Sequence, residues 1–524
     1  MKQKRDRYEM HKYWGKKPSN NLKCLIEKYS EEGDTVFDPF SGYGVFCCEA
    51  FILNRNIISN DLNPIAYFLN QQLLEKEIDL SLLKKQWKKI KSDFEPFNNQ
   101  WFNWEVEGKS VQLISILRDK NDTPIKAKYK NKGDKKANEI ELSVEKVEQY
   151  LNFEKEFEIK DWYPNNKLIQ NSRISAKAGM TIADLFTKRT LACHANLLAL
   201  IDKHSKGNEK ELLKVAFTAN LANCSKLVPP IKSRGEMAPG AWMTGFYVGE
   251  TYLENNVLQY FGNRLTKAIK GKQDYLNQFG SCNELNFNPT YYNNNFLTIQ
   301  EDAKSLSIKS ETVDYVFTDP PYGDAVPYFE QSVIWNSWLK FSPNYIDEIV
   351  ISDSKERQKD DSTFEEDINT AFSEIRRVLK FNKYFSLTYH SLSGLEWKAV
   401  TNACIKNGFD LVDFEWLVQK TFTPRQLNRL KSIKGDVLAT FQKSDLPIEL
   451  IVKKNKEISN IFIASIRDWL EHEGLETNEI FLRIMKIVFS EKILIGEVDL
   501  LKLLIENFEF SETQKWVIYD ESTV

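Results

Sequence analysis

The sequence TVFDPFSGYGVF at residues 35–46 decides the fold, because it joins a short apolar strand to a helix through a glycine-rich turn. We predict the strand over residues 35–37 and the helix over residues 45–53. A second strand is predicted over residues 56–59, and Pro64 is placed to begin another helix. Alternating strands and helices favour an α/β fold with a parallel sheet, covered on both faces, in which ligands bind where the strands end.

Further along the chain the alternation stops for more than 200 residues and then returns. The returning strands are predicted at residues 295–300, 312–318, 383–389, 409–418 and 436–442, with helices at 364–379 and 396–407. Between the two parts we predict strands or hairpins at 106–117 and 140–151, helices at 183–204, 209–225 and 252–270, and a loop at 229–245. The predicted parts are therefore residues 1–94 and 291–445 for one core, 95–290 for an insertion and 446–524 for a helical C-terminal region.

Composition describes an ordinary globular chain of 524 residues, with 42% hydrophobic residues and a net charge of −3. No apolar run approaches the roughly 18 residues that span a bilayer, so we expect no membrane partner. The seven cysteines form no Cys-x-x-Cys pair, which favours a reducing cytoplasm and no metal. Residues 1–30 contain nine Lys or Arg against three acidic residues, and residues 118–136 contain eight against three. Each segment either follows a phosphate backbone or is a solvated surface.

The turn after the first predicted strand carries residue types that bind a charged small ligand. Asp38 ends the strand, Gly42 and Gly44 let the backbone approach a ligand closely, and the N-terminus of the next helix favours negative charge. Asp61, at the end of the second strand, is placed to accept both hydroxyls of a ribose. A lone Gly-x-Gly pair often makes only a tight turn, but together with Asp61 it favours a ribose-containing ligand.

A second motif, Asp319-Pro320-Pro321-Tyr322, follows the apolar run at residues 315–317. The Pro-Pro turn fixes the backbone and leaves its carbonyls free of amide donors. The Asp319 carboxylate and the Pro320 carbonyl are placed to accept two hydrogens from one exocyclic amino group. Tyr322 offers a flat face to a planar ring extruded from a helix. We predict these four residues as the catalytic motif.

The two motifs resemble those of the S-adenosylmethionine-dependent DNA amino-methyltransferases, which modify adenine N6 or cytosine N4. The segment HKYWGKKP at residues 11–18 is similar to the part of this family that closes over the methionine portion of the cofactor, and Asp302-Ala303 stands where the family binds the cofactor adenine. The resemblance implies S-adenosylmethionine as cofactor and a Rossmann-like class I methyltransferase sheet with a large α+β insertion. The cofactor-binding residues it implies are His11, Lys16, Pro18, Asp38, Phe40, Gly42, Gly44, Asp61, Asp302 and Ala303.

This resemblance implies an enzyme that methylates N6 of adenine in double-stranded DNA, by base flipping and direct in-line transfer. Trp162-Tyr163-Pro164 and the sequence DLFT at residues 184–187 resemble a large-insertion subgroup of bacterial adenine-type methylases, although Lys188-Arg189-Thr190 differs from that subgroup. The same resemblance implies a role in DNA modification or phage defence. It also implies restriction or defence-system proteins as possible partners. The insertion is predicted to recognise the target because of its size and basic charge.

Three alternatives stay open. The chain is also compatible with a cytosine-N4 DNA methyltransferase, although related cytosine enzymes often have Ser where Asp319 stands. The sequence TDPPYG at residues 318–323 also resembles RNA guanine-N2 methyltransferases. A DNA-binding specificity protein without turnover is the third alternative, and the intact acids and glycines weigh against it. Methylation of cytosine C5 would need a Pro-Cys nucleophile, and in this sequence no proline precedes a cysteine.

Overall fold

The computed structural model describes residues 5–106, 108–131, 134, 136–279, 295–389, 395–417, 436–446 and 449–518. Its strands are β1 (Thr35–Asp38), β2 (Asn56–Asn60), β3 (Asn103–Val106), β4 (Lys109–Asp119), β5 (Pro124–Lys130), β6 (Asn138–Glu141), β7 (Thr251–Asn255), β8 (Phe296–Ile299), β9 (Val313–Thr318), β10 (Leu379–Tyr389), β11 (Phe409–Leu417), β12 (Asp436–Lys443), β13 (Ile451–Val452), β14 (Ile493–Leu494), β15 (Glu509–Phe510) and β16 (Trp516–Val517). Its helices are α1 (Ser19–Tyr29), α2 (Val45–Ile52), α3 (Pro64–Leu74), α4 (Leu80–Phe102), α5 (Val144–Glu156), α6 (Lys188–His204), α7 (Gly207–Leu221), α8 (Val257–Leu276), α9 (Tyr328–Trp338), α10 (Asp361–Val378), α11 (Leu395–Lys406), α12 (Asn455–Leu470), α13 (Thr477–Ser490) and α14 (Leu500–Asn507).

A central sheet combines the two predicted halves of the core. Within the described residues it has seven strands, in the order β11-β12-β10-β9-β1-β2-β8. The five strands from β10 to β8 run parallel, whereas β12 is antiparallel to both β10 and β11. The sheet is therefore mixed, and the prediction of a parallel sheet was wrong for β12, which lies between β11 and β10 and runs against both. An alternating pattern of strands and helices gives their order along the chain but leaves the direction of an individual strand open.

β1 lies where the order of the strands reverses. The chain continues from β1 to β2 and β8 on one side of the sheet, while β9 and β10 lie on the other side. Phe37 of β1 pairs with Ile58 of β2 and with Val316 of β9. Because parallel strands end at the same edge, the segments that follow β1, β2 and β9 open onto one crevice, where ligands of such sheets bind.

Between β2 and β8 the chain forms helices and a second sheet, in which β3, β4, β5 and β6 follow one another and β7 pairs with β4. Residues 140–151, predicted as strands or hairpins, instead hold the end of β6 and much of α5, because the Ser143 hydroxyl caps that helix through the Lys146 amide at 3.4 Å. Residues 252–270, predicted as one helix, begin within β7. The helix starts only at Val257, after Asn256 accepts a bond from the Gln259 amide.

One apolar core runs from the central sheet through α9 into the insertion helices. Trp338 of α9 is fully buried, and its ring centroid lies 5.8 Å from that of Phe186, 5.9 Å from His194 and 5.6 Å from Phe217. His194 is a core residue: burial lowers its pKa to about 4, and its Nδ1 lies 2.7 Å from the Thr190 carbonyl oxygen. The insertion and the sheet therefore share side-chain packing.

The part of the chain that follows β12 contains α12, α13 and α14 with two short strand pairs, β13 with β14 and β15 with β16. Its apolar side chains join a second core together with α10, α11 and the central sheet. Phe441 of β12, for example, lies 5.0 Å from Phe489 of α13 between ring centroids. None of the helices in the described ranges combines the length and apolar character needed to cross a bilayer.

Candidate functional site

The carboxyl ends of β1, β2 and β9 border one cleft, which holds about 940 Å³ of space that is partly open to solvent. The segment at residues 13–17 and the residues that follow β8 complete its wall. Of the predicted site residues, the cleft brings together Lys16, Asp38, Phe40, Gly42, Asp61, Asp302, Ala303, Asp319 and Pro321. The predicted residues that do not line it are His11, Pro18, Gly44, Pro320 and Tyr322.

The glycine-rich turn follows Asp38, the last residue of β1. The Asp38 carboxylate accepts a hydrogen bond from the Phe40 amide at 3.1 Å, and burial raises the pKa of Asp38 well above its usual range. Gly42 and Gly44 have φ angles of +53° and +84°, in the left-handed region. A β-carbon on Gly44 would lie 2.1 Å from Oδ1 of Asn70 in α3. The turn therefore requires glycine there for its backbone conformation and for its close approach to α3.

Asp61 links the end of β2 to the same turn. Its Oδ2 accepts a hydrogen bond from the Gly42 amide at 2.8 Å, and its Oδ1 accepts one from the Asn63 amide at 2.9 Å. Burial raises the pKa of Asp61 to about 6, although both amide bonds favour the ionised carboxylate. Each carboxylate oxygen has two lone pairs, so this group can still accept hydrogen bonds from ligand hydroxyls.

Asp319, directly after β9, has one oxygen surrounded by donors. Its Oδ1 accepts hydrogen bonds from the Thr388 hydroxyl at 2.8 Å and from the Tyr322 hydroxyl, and lies 3.1 Å from the Lys17 ammonium. Oδ2 faces Gly15, where an added β-carbon would lie 3.3 Å from it. The carboxylate is thus fixed through Oδ1, while Oδ2 faces the N-terminal segment.

Tyr322 has its hydroxyl directed at Asp319, and its ring packs edge-to-face on Tyr389 with 5.8 Å between centroids. Burial, and after it the Asp319 charge, raises the pKa of Tyr322 well above the usual value, so its hydroxyl stays protonated and donates. For the predicted stacking on a planar base, the side chain would have to turn towards the cleft. That role remains a prediction, and the hydroxyl has a contact with Asp319 that the sequence did not suggest.

Lys17 is a site residue that the sequence argument missed. Its ammonium lies 2.9 Å from Oδ2 of Asp436 as well as 3.1 Å from Oδ1 of Asp319, and its side chain is 9% exposed. Burial disfavours the charged ammonium, but the two carboxylates outweigh burial and raise the pKa of Lys17 above its usual value. Asp436 begins β12, so no local pattern connects it with the motif at Asp319.

The segment at residues 11–18 is anchored to the insertion and to its own backbone. His11 is buried with its Nε2 3.1 Å from the Thr218 hydroxyl oxygen, and burial lowers its pKa to about 3, which keeps the ring neutral. The Lys16 ammonium donates to the carbonyls of Tyr8 at 2.8 Å and His11 at 2.6 Å, and burial lowers the pKa of Lys16 to about 7. Pro18 precedes the first turn of α1. His11 and Pro18 therefore shape the segment, whereas Lys16 lines the cleft.

The residues after β8 form the opposite wall. The Asn60 side chain donates to the Glu301 carbonyl at 3.0 Å and accepts from the Glu301 amide at 2.9 Å, which ties the end of β8 to the end of β2. Asp302 accepts a bond from the Lys304 amide at 2.9 Å, and Ala303 is buried beside it.

Carboxylates outnumber ammonium groups in the cleft wall. The acidic lining residues are Asp38, Asp61, Glu301, Asp302, Asp319, Asp347 and Glu348, and the basic ones are Lys16 and Lys17. Such a lining favours a ligand that carries positive charge. Over the described ranges, no cluster of three or more His, Cys, Asp or Glu side chains is arranged to hold a metal ion.

The N-terminal part of the chain matches a known protein family. Residues 1–71 match a family model described as DNA methylase (N6_N4_Mtase), a range that contains the segment at residues 11–18, the glycine-rich turn and Asp61. No curated protein has a significant match to the chain. The family match supports a DNA methyltransferase that modifies an amino group, and it leaves adenine N6 and cytosine N4 undistinguished.

Replacing Gly44 by alanine should destabilise the protein more than replacing Gly33. Both glycines have φ +84°, so both variants share the cost of a left-handed alanine, about 1–3 kcal/mol. A β-carbon at Gly33 meets nothing within 4 Å, whereas one at Gly44 would overlap Asn70. Urea denaturation should therefore give Gly44→Ala a further loss of about 1–3 kcal/mol. Equal losses would contradict the contact between the turn and α3.

Proposed function

We propose that the protein is an S-adenosylmethionine-dependent DNA methyltransferase that modifies N6 of adenine in double-stranded DNA, within a modification or phage-defence system. The observation that carries the proposal is that the Asp319 carboxylate, after β9, lines the same cleft as the glycine-rich turn after β1 and Asp61 after β2. The reversal of strand order beside β1 supports a Rossmann-like ligand site. The family match over residues 1–71 favours DNA over RNA as substrate.

The cleft residues fit the chemical groups of S-adenosylmethionine. Its sulfonium and ammonium are positive, which suits the excess of carboxylates in the wall. Asp61 would hold the ribose hydroxyls, because its carboxylate retains acceptor capacity. Asp302 would accept a hydrogen bond from the adenine amino group, and Phe40 would pack on the cofactor. When bound, the cofactor would supply the methyl group, and it would leave as a neutral thioether once its sulfonium–methyl bond has broken.

Asp319 would act on the target amine. An exocyclic amine is a poor nucleophile because its lone pair is conjugated with the ring, so an acceptor that draws one of its hydrogens increases electron density on nitrogen. The Oδ1 atom already accepts hydrogen bonds from the Thr388 and Tyr322 hydroxyls and pairs with the Lys17 ammonium. Oδ2 is therefore the oxygen that would accept the amine hydrogen. For the second amine hydrogen the sequence predicts the Pro320 carbonyl as acceptor, although Pro320 does not line the cleft in the structure. As the nitrogen forms its new bond to carbon, it loses one proton, and Asp319 can hold this proton before it reaches solvent.

Methylation of identified nucleosides tests the proposal. The protein is incubated with methyl-labelled S-adenosylmethionine and, in parallel, with unmethylated duplex DNA and total RNA. We expect label in N6-methyladenine from DNA. Label in N4-methylcytosine would show that cytosine, and not adenine, is the target base. Label in a guanine of RNA would show that RNA, and not DNA, is the substrate. A protein that incorporates no label in either nucleic acid would contradict the proposal.

Asp319→Asn should separate chemistry from cofactor binding. The substitution keeps the volume of the side chain but removes the charge that draws the amine hydrogen, so the single-turnover methylation rate should fall about 10²-fold or more. Calorimetry should give nearly unchanged affinity for S-adenosylmethionine. Glu311→Gln is the matched control, because that side chain is 62% exposed and lies before β9. An Asp319→Asn enzyme with the control's rate would overturn this role of Asp319.

Lys17→Met should lower the single-turnover methylation rate. The Lys17 ammonium lies 3.1 Å from Oδ1 of Asp319 and 2.9 Å from Oδ2 of Asp436, so the substitution removes the cation that holds the Asp319 carboxylate in place. Lys17→Arg keeps the charge and should retain more of the rate than the Met variant. A Met variant that methylates DNA at the wild-type rate would exclude this role of Lys17.

A further inference from the structure

The first part of the basic segment, residues 118–128, is less available to phosphate than its sequence indicates. Arg118 is fully buried, with its Nε 2.8 Å from Glu254. Three lysines of the segment form ion pairs: Lys120 with Glu250 at 2.9 Å, Lys126 with Glu141 at 2.9 Å and Glu236 at 2.8 Å, and Lys128 with Glu139 at 3.5 Å. Paired lysines release fewer counterions from DNA than free ones, so residues 118–128 are a weak candidate for the DNA contact.

Two other loops of the insertion, residues 166–182 and 229–250, have an uncompensated positive charge, and we call them the rim loops. Their exposed cations Lys167, Lys177, Lys232 and Arg234 have no carboxylate within ion-pair distance among the residues that the structure describes. The two acidic residues in the rim loops, Glu236 and Glu250, are the ones paired with Lys126 and Lys120. Lys126 of β5 and Lys120 of the turn before β5 therefore neutralise the acids and leave the rim loops basic.

The rim loops are joined to each other and to the segment behind the catalytic motif. The Ser175 amide of one loop donates to the Gly245 carbonyl of the other at 2.7 Å. Arg173 pairs with Asp324 at 2.6 Å, and the Ser172 amide donates to Asp353 at 3.0 Å. Asp324 comes directly after Gly323 of the TDPPYG motif, so the rim loops are anchored next to Asp319 in the chain.

Aromatic contacts also connect the rim loops to the cleft. The ring centroid of Trp242 lies 6.4 Å from that of Trp14, which lines the cleft, and the Lys12 ammonium lies 4.1 Å from the Trp242 ring centroid. On the same loop, Met243 and Tyr247 are 40% and 52% exposed. Exposed cations beside exposed aromatic and thioether side chains are typical of a surface that contacts phosphates, sugars and unstacked bases.

We infer that the rim loops are the surface that binds double-stranded DNA around the base that enters the cleft. The inference rests on the proposed function for the nature of the partner. Lys177, Lys232 and Arg234 contact phosphates, and Tyr247 lies against the DNA beside the displaced base. Lys126 of β5 pairs with Glu236 of the rim loops and does not contact DNA.

Fluorescence anisotropy with a labelled 25-base-pair duplex tests the inference over a series of salt concentrations. Lys177→Ala/Lys232→Ala/Arg234→Ala should weaken binding and reduce the slope of log K against log salt by up to about 2.7, which is three phosphate contacts. The matched control, Lys84→Ala/Lys85→Ala/Lys88→Ala, removes the same charge from exposed lysines of α4 and should keep the wild-type slope. Thermal melting should give both variants the wild-type midpoint within a few degrees, because all six replaced side chains are exposed.

A rim variant that keeps the wild-type slope, or an α4 variant that loses as much, would overturn the inference. Methylation measured on the same samples distinguishes this failure from failure of the proposed function. If the wild type methylates DNA while the rim variant binds normally, the function stands and the surface is wrong. If the wild type binds DNA with the expected rim dependence but transfers no methyl group, the surface stands and the function is wrong.

Discussion

Pairing of β1 with β2 on one side and with β9 on the other is the constraint on which the site depends. Phe37 takes part in both ladders, and its β9 partner Val316 lies far away in the sequence. Backbone hydrogen bonds therefore set the spacing of the three carboxylates that follow these strands, Asp38, Asp61 and Asp319. Side chains adjust this arrangement, but they do not create it.

Three carboxylates at one sheet edge repel one another, and the protein deals with each of them differently. Asp38 is buried, which raises its pKa and favours its protonated form. Asp61 is held by two backbone amides, which favour its charge. Asp319 is paired with the ammonium of Lys17, which it shares with Asp436. The segment at residues 11–18 thus supplies, in Lys17, a cation at this edge of the sheet. The attraction between this ammonium and the two carboxylates holds the segment beside the motif at Asp319.

Elements whose signals lie within one short stretch of the chain could be predicted from the sequence. β1 with its turn, the helix that begins at Pro64, and β9 with the motif after it all occur as expected, because apolar periodicity, glycine and proline act locally. The ion pair between Lys17 and Asp436 could not be predicted from the sequence, since it depends on the position of β12 beside β10 in the sheet. The start of α8 could not be predicted either, because the apolar positions around Tyr252 fit both a strand and a helix. The charge of the segment at 118–136 was visible, but its pairing with distant glutamates was not.

The apolar core that continues from the sheet through Trp338 into the insertion fixes the distance between the rim loops and Asp319. An insertion attached only by flexible linkers could place its contacts at a variable number of base pairs from the reacting base. Here the packing of Trp338 between Phe186 and Phe217 removes that freedom. Under the proposed function, this packing sets a constant distance along the DNA between the contacts of the rim loops and the base that enters the cleft.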